Sequence, residues 1–193
     1  MNEKAQMMRE KFVNKAMHIL KTEESRDSDS TDVIRYALIT VFNETEKIIL
    51  LILLFLLTDR LIEFLFCLLT FGFIRIYAGG SHRSTFLGCF FQSYLTFSVI
   101  IFLSEHFMLA YVVKIASVII SALILYLKAP IESKLRGKYS QKRRREFKKK
   151  TIISVVVVSI FGILVGNIWF NYTVWCIIIQ TCEMMVICIV RNA

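Results

Sequence analysis

The sequence predicts an all-α, polytopic membrane protein of about six transmembrane helices. Three observations carry that expectation. The 193-residue chain is 56% apolar, with a single proline and a mean hydropathy of +0.60, whereas a soluble domain lies nearer ~45–50% apolar. Its charges crowd into the first 47 residues and into 128–150, leaving long apolar runs elsewhere. Runs such as IILLILLFLL and SVVVVSIFGILVG lack the apolar–polar alternation of barrel strands. A helix is then the way to satisfy every backbone group inside a bilayer.

Residues 1–21 fit an amphipathic helix: Ala5, Met8, Phe12, Ala16 and Ile19 fall at helical spacing among Lys4, Arg9, Lys11 and Lys15. Such a helix lies on the membrane surface or on the protein's own cytoplasmic loops. Residues 22–32 read as an acidic linker, with Asp32 able to cap a second helix from Val33. No secretory signal precedes the first apolar run at Ile48, which places the N-terminus in the cytoplasm.

The first spans are set by charge. One helix over 48–66 would carry Asp59, Arg60 and Glu63 into the bilayer, each costing roughly 2.5–3.5 kcal/mol near a helix centre. A tight hairpin avoids this. One helix runs from about Ala37 to Thr58, Asp59–Arg60 forms the outer turn, and a second helix runs from Leu61 to about Ile76. Later spans are expected near Phe86–Ser104, Phe107–Leu127, Thr151–Phe170 and Tyr172–Val190, with Glu105–His106 and Asn167–Asn171 as short connections. Segment 128–150 reads as a loop with eleven Lys or Arg against Glu132 and Glu146, a net +9 that equals the charge of the whole chain. The positive-inside rule puts it in the cytoplasm. Six spans with both termini inside satisfy every constraint; five would leave the N-terminus outside. The whole chain, 1–193, reads as one integral membrane domain, with 1–32 as helix and linker and 33–193 as the bundle.

Five cysteines lie in apolar stretches without CxxC spacing, a pattern that argues against a disulfide framework or a zinc site. Most read as small packing residues. No metal and no cofactor is expected. Two charges fall inside spans: Lys114 in an outer half and Glu183 in an inner half. That separation predicts that they do not pair. Glu183 is expected to face the helix interior and to reach toward the cytoplasmic side, with a structural role favoured. His18 and His106 read as incidental.

One segment stands apart: RIYAGGSHRSTFLGC, Arg75 to Cys89. A Cys–His pair is the minimum for thiol nucleophilic catalysis, in which the histidine takes the thiol proton and the sulfur attacks a carbonyl. Arg75 and Arg83 make the segment electropositive. In an unbroken helix, His82 and Cys89 would be about 10.5 Å apart along the axis, too far for a hydrogen bond. The chain must therefore bend between them. Gly79 and Gly80, Ser84 and Thr85 as possible helix caps, and Gly88 all permit a bend. The bland alternative is coincidence: a turn, and a cysteine used for packing.

The run closely resembles the signature of the accessory gene regulator B family, membrane peptidases of Gram-positive quorum sensing. That pattern is an arginine, a Gly-Gly or related pair, a histidine, and a cysteine seven residues later; here Arg75, Gly79, Gly80, His82 and Cys89. Chain length, the charged N-terminal helix, six spans and the basic loop are also similar to that family. Arg83 departs from it, since many members carry a small residue there, and the departure bears on the substrate cleft rather than on the dyad.

The resemblance implies a cysteine endopeptidase at the cytoplasmic face of the cell membrane of a Gram-positive bacterium. Cys89 would be the nucleophile and His82 the general base. Its active site would sit in a loop or re-entrant segment. Its partner would be a short amphipathic pro-peptide with an acidic tail, and its product a thiolactone or lactone ring closed from an acyl-enzyme thioester. Ser81, Gln92, Asn43 and Glu44 are candidates to orient His82. The basic loop, with Arg143, Arg144 and Arg145, suits an acidic tail, or anionic lipid of the bilayer. Homodimerisation is implied by the resemblance alone, and no nucleic acid is expected. A small transporter or a non-catalytic membrane adaptor remain the alternatives.

Overall fold

A computed structural model describes residues 28–80, 85–131 and 140–192. The expected amphipathic helix over 1–21 lies outside these residues. Six helices follow in order: α1 (Ser28–Leu57), α2 (Leu61–Ala78), α3 (Phe86–His106), α4 (Tyr111–Lys128), α5 (Gln141–Val165) and α6 (Asn167–Asn192). Among the described residues, four of them, α2, α3, α4 and α6, are long and apolar enough to cross a membrane. In α1 the apolar run follows Glu44, Glu46 and Lys47, and in α5 it follows Lys148–Lys150, so these two fall short of that standard by composition.

The chain divides into two units, Met1–Leu54 and Phe55–Ala193. In the first, α1 begins at Ser28, so residues 28–32 belong to a helix and not to the expected linker. Serine and aspartate are residues that favour a helix start. Further along, Lys47 Nζ pairs with Glu44 at 2.5 Å, a helical i,i+3 contact.

The second unit opens with the hairpin turn at the expected place. Asp59 has φ 56°, a left-handed conformation that aspartate tolerates better than most residues, and Arg60 N–H donates to Phe55 O at 2.9 Å. Phe55 and Phe64 stack across the turn, with ring centroids 4.5 Å apart. Arg60 forms an ion pair with Glu105, and Tyr172 Oη donates to the same carboxylate at 3.3 Å. Arg60 also lies 3.5 Å from Glu63, so two of the three charges that could not share one span are paired beside the turn.

Helix α6 is central and packs against α2, α3, α4 and α5. A buried cluster of Ile74, Ala78, Leu125, Ala129, Val155, Val158, Ile177 and Met184 joins α2, the end of α4, α5 and α6. Between α5 and α6 the backbones approach closely. A Cβ on Gly162 would lie 3.0 Å from the Thr173 Cβ and 3.3 Å from the Phe170 Cα. Small residues at such crossings let membrane helices meet. Gly162→Ala is expected to cost about 1–3 kcal/mol through overpacking. An unchanged thermal midpoint in detergent would sink that account.

Three expected boundaries move. The break between the last two helices is at Gly166, with φ 135°, and not over Asn167–Asn171, which form the first turns of α6. Only glycine adopts that backbone conformation without strain. The basic segment 128–150 is not loop throughout, because residues from Gln141 onward are helical. Ser140 caps this helix by accepting from Arg143 N–H at 3.3 Å, and the Gln, Lys, Arg and Glu that follow are strong helix formers. Helix α4 begins at Tyr111 rather than Phe107. The residues before it are held by Asn171, whose Nδ2 donates to Ser104 O at 2.9 Å and Phe107 O at 3.1 Å, while Leu109 N–H donates to its Oδ1 at 3.1 Å.

Lys114 and Glu183 do take separate partners. Lys114 is fully buried, and its Nζ donates to Asn167 O at 3.0 Å and Asn167 Oδ1 at 2.8 Å. The amine lies 5.7 Å from the Phe170 ring centroid. Glu183 pairs at the other end of the bundle.

Candidate active site

The site forms where α2 ends and α3 begins. Helix α2 stops at Gly79, which has φ 83° and ψ −178° and whose N–H donates to Arg75 O at 2.9 Å. That combination of angles is essentially confined to glycine. Two contacts hold the turn. Gln180 of α6 donates from Nε2 to Gly79 O at 3.0 Å, and Ile131, just past α4, donates its N–H to Ala78 O at 3.1 Å. Ile131 backbone also closes over Gly79, where a Cβ would meet its carbonyl oxygen at 2.9 Å.

Arg75 lies in the last turn of α2 and is half-buried. Its Nη1 pairs with Glu183 Oε2 at 2.6 Å. The guanidinium also crosses Gly80 so closely that a Cβ there would lie 2.5 Å from Cζ. Charge-assisted contacts of this kind are among the stronger hydrogen bonds. Removing one member of a buried pair costs about 3–5 kcal/mol, less where solvent reaches it, as it does Arg75 at 26% side-chain exposure.

Beyond residues 81–84, Thr85 caps α3 by accepting from Gly88 N–H at 3.2 Å. This is one of the two caps expected from sequence. Cys89 ends the first turn, its N–H bonded to Thr85 O at 3.1 Å, and is half-buried. One turn further, Gln92 donates from Nε2 to Glu183 Oε1 at 3.4 Å. One carboxylate on α6 thus bonds the end of α2 and the start of α3.

Of the residues singled out in the sequence, Arg75, Gly79, Gly80 and Gln92 come together here, with Cys89 one turn from Gln92. Ser81, His82 and Arg83 lie outside the described residues. Arg143, Arg144 and Arg145 stand on another element, exposed on the first turns of α5, with Arg143 5.9 Å from the Phe147 ring centroid. Further along that helix, Lys150 Nζ lies 5.9 Å from the ring centroid of Tyr77, so its basic end reaches the site end of α2. Asn43 and Glu44 are on α1, in the other unit. The sequence did not single out Gln180, and it favoured a structural role for Glu183. A polar residue inside a span is the available signal for both.

An all-helical membrane protein with a thiol on the first turn of a capped helix, which a carboxylate links to the end of the helix that stops at a glycine turn, is the class defined so far. The family model for accessory gene regulator B matches residues 11–189, nearly the entire length. The chain belongs to the accessory gene regulator B family. Known for peptide processing, the family fits this membrane protein to a role in processing quorum-sensing peptides. No curated protein and no solved structure matches the chain.

Proposed function

We propose that the protein is a membrane cysteine endopeptidase that cuts a short quorum-sensing pro-peptide and promotes its cyclisation. Cys89 is the nucleophile and His82 its general base. The observation that carries this reading is the convergence on Glu183 of Arg75, pressed against Gly80, and of Gln92, one turn past Cys89 on α3. That convergence brackets the 81–84 segment, which contains His82, between two anchored ends.

In this reading His82 takes the Cys89 thiol proton as sulfur attacks the scissile carbonyl. The tetrahedral intermediate collapses as His82 returns the proton to the leaving amine. A thioester then joins Cys89 to the N-terminal part of the substrate, and the acidic C-terminal tail leaves. A cysteine or serine within the peptide attacks the thioester, closes the ring and frees the Cys89 thiol. Thiolactone formation exchanges one thioester for another, so it needs no nucleotide. The basic face of α5 offers complementary charge to the departing tail, and Lys150 stacked on Tyr77 keeps that face near the site. Six spans with both termini and the site on the cytoplasmic side complete this reading, with α1 and α5 as the further spans. Family resemblance adds a homodimer.

The acyl-enzyme tests it. Membranes holding the full chain are incubated with a pro-peptide whose ring-closing residue is replaced by alanine, then quenched in acid. A covalent adduct on the peptide containing Cys89, released by hydroxylamine, is expected. An adduct on another residue, or tail release from this substrate without any adduct, would overturn the mechanism.

A further inference from the structure

Glu183 lies 108 residues from Arg75 and 91 from Gln92, yet bonds both. Its side chain is 14% exposed. Buried ion pairs are weak contributors to stability compared with apolar packing of the same volume, so fold stability alone is a poor account of a carboxylate here. Its contacts are more specific. Through Arg75 it fixes a guanidinium pressed on Gly80, two residues before His82. Through Gln92 it holds α3 one turn from Cys89. Gln180, one turn before Glu183 on α6, holds the Gly79 carbonyl from the same side.

We propose that Glu183 is the positioning residue for the Cys89 thiol, a single carboxylate that ties the end of α2, through Arg75, to the turn of α3 next to Cys89, through Gln92. The proposal rests on the endopeptidase reading above. Arg75 is then a brace rather than a contact for substrate. Groups that act through one another give non-additive effects when removed together, whereas independent structural losses multiply.

The test reads the thiol directly and needs no substrate. Full-length protein in native membranes is alkylated with iodoacetamide, and the rate at Cys89 is followed by peptide mass spectrometry. His82→Ala is expected to slow alkylation at least tenfold, since no base then takes the thiol proton. Glu183→Ala should slow it to within threefold of that value, and adding Glu183→Ala to His82→Ala should slow it no further. Glu183→Asp, which keeps the charge, should recover at least a third of the wild-type rate. Lys114→Met, which removes a buried charge at the far end of the bundle, should leave the rate within twofold and so control for general loosening. A wild-type or faster rate in Glu183→Ala, or losses that multiply in the double variant, would overturn the proposal. An unchanged rate in His82→Ala would instead bring down the dyad itself, and the proposal with it.

Discussion

Cys89→Ala is expected to abolish release of the peptide tail, with a rate loss of about 10⁴-fold or more. Removing a catalytic nucleophile leaves only binding and charge stabilisation, as in serine proteases, where the loss reaches about 10⁶-fold. His82→Ala should cost about 10³-fold or more, because the thiol loses both its base and the acid for the leaving amine. Neither change should prevent insertion. The Cys89 side chain is only half-buried, and the helix start depends on the Thr85 cap rather than on sulfur. Cys182→Ala supplies the control: this cysteine is exposed on α6, and its loss should leave the rate within twofold. The measurement is initial tail release from the pro-peptide in vesicles, normalised to inserted protein. Cleavage by Cys89→Ala at more than a tenth of the wild-type rate would refute the assignment of the nucleophile.

Gly79→Ala should give the largest loss of stability of any single methyl addition at the site. At φ 83° and ψ −178°, a side chain incurs strain of about 1–3 kcal/mol. The new Cβ would also lie 2.9 Å from the Ile131 carbonyl oxygen, a backbone atom that cannot swing aside. Ile131 is tied to Ala78, so relief of the clash pulls apart the joint between α2 and the end of α4. Gly80→Ala is different in kind. Its Cβ meets the Arg75 guanidinium, the end of a flexible chain, so the cost falls on the Arg75–Glu183 pair. Thermal unfolding in detergent should therefore show Gly79→Ala destabilised by about 3 kcal/mol or more, and Gly80→Ala by less, with a larger share of its effect on activity. Equal midpoints for Gly79→Ala and the wild type would refute the strained geometry.

Much of this was legible in the sequence because charge in a bilayer is expensive. Asp59, Arg60 and Glu63 could not sit within one span, and the hairpin turn lies where that cost required it. The Gly-Gly pair and Thr85 announced a break before Cys89, and both ends of that break are as expected. What the sequence hid were helix starts made of polar helix formers. Gln141–Lys150 has no apolar stripe to mark it as helical, and its charge suggested a solvated loop. Asn167 and Asn171 mark a connection between the last two helices, yet the break falls at Gly166, just before them. Partners were hidden too. Glu183 and Gln180 were visible as polar residues in a span, but nothing along the chain said that they would meet Arg75 and Gly79, a hundred residues earlier. Apolar periodicity finds helices; it does not say which faces meet.

The buried Lys114 has a consequence for biogenesis. Its amine is satisfied by Asn167, 53 residues later in the chain, at the first residue of the last helix. During synthesis α4 therefore emerges carrying a cation whose oxygen acceptors have not yet been made. Until α6 arrives, burying that amine is costly, which favours a shallower α4 that keeps the amine near the water interface. The order of translation thus makes the last helix the one that completes the assembly. It is also the helix that carries Gln180 and Glu183, so the turn before His82 acquires its bracing only as the bundle closes.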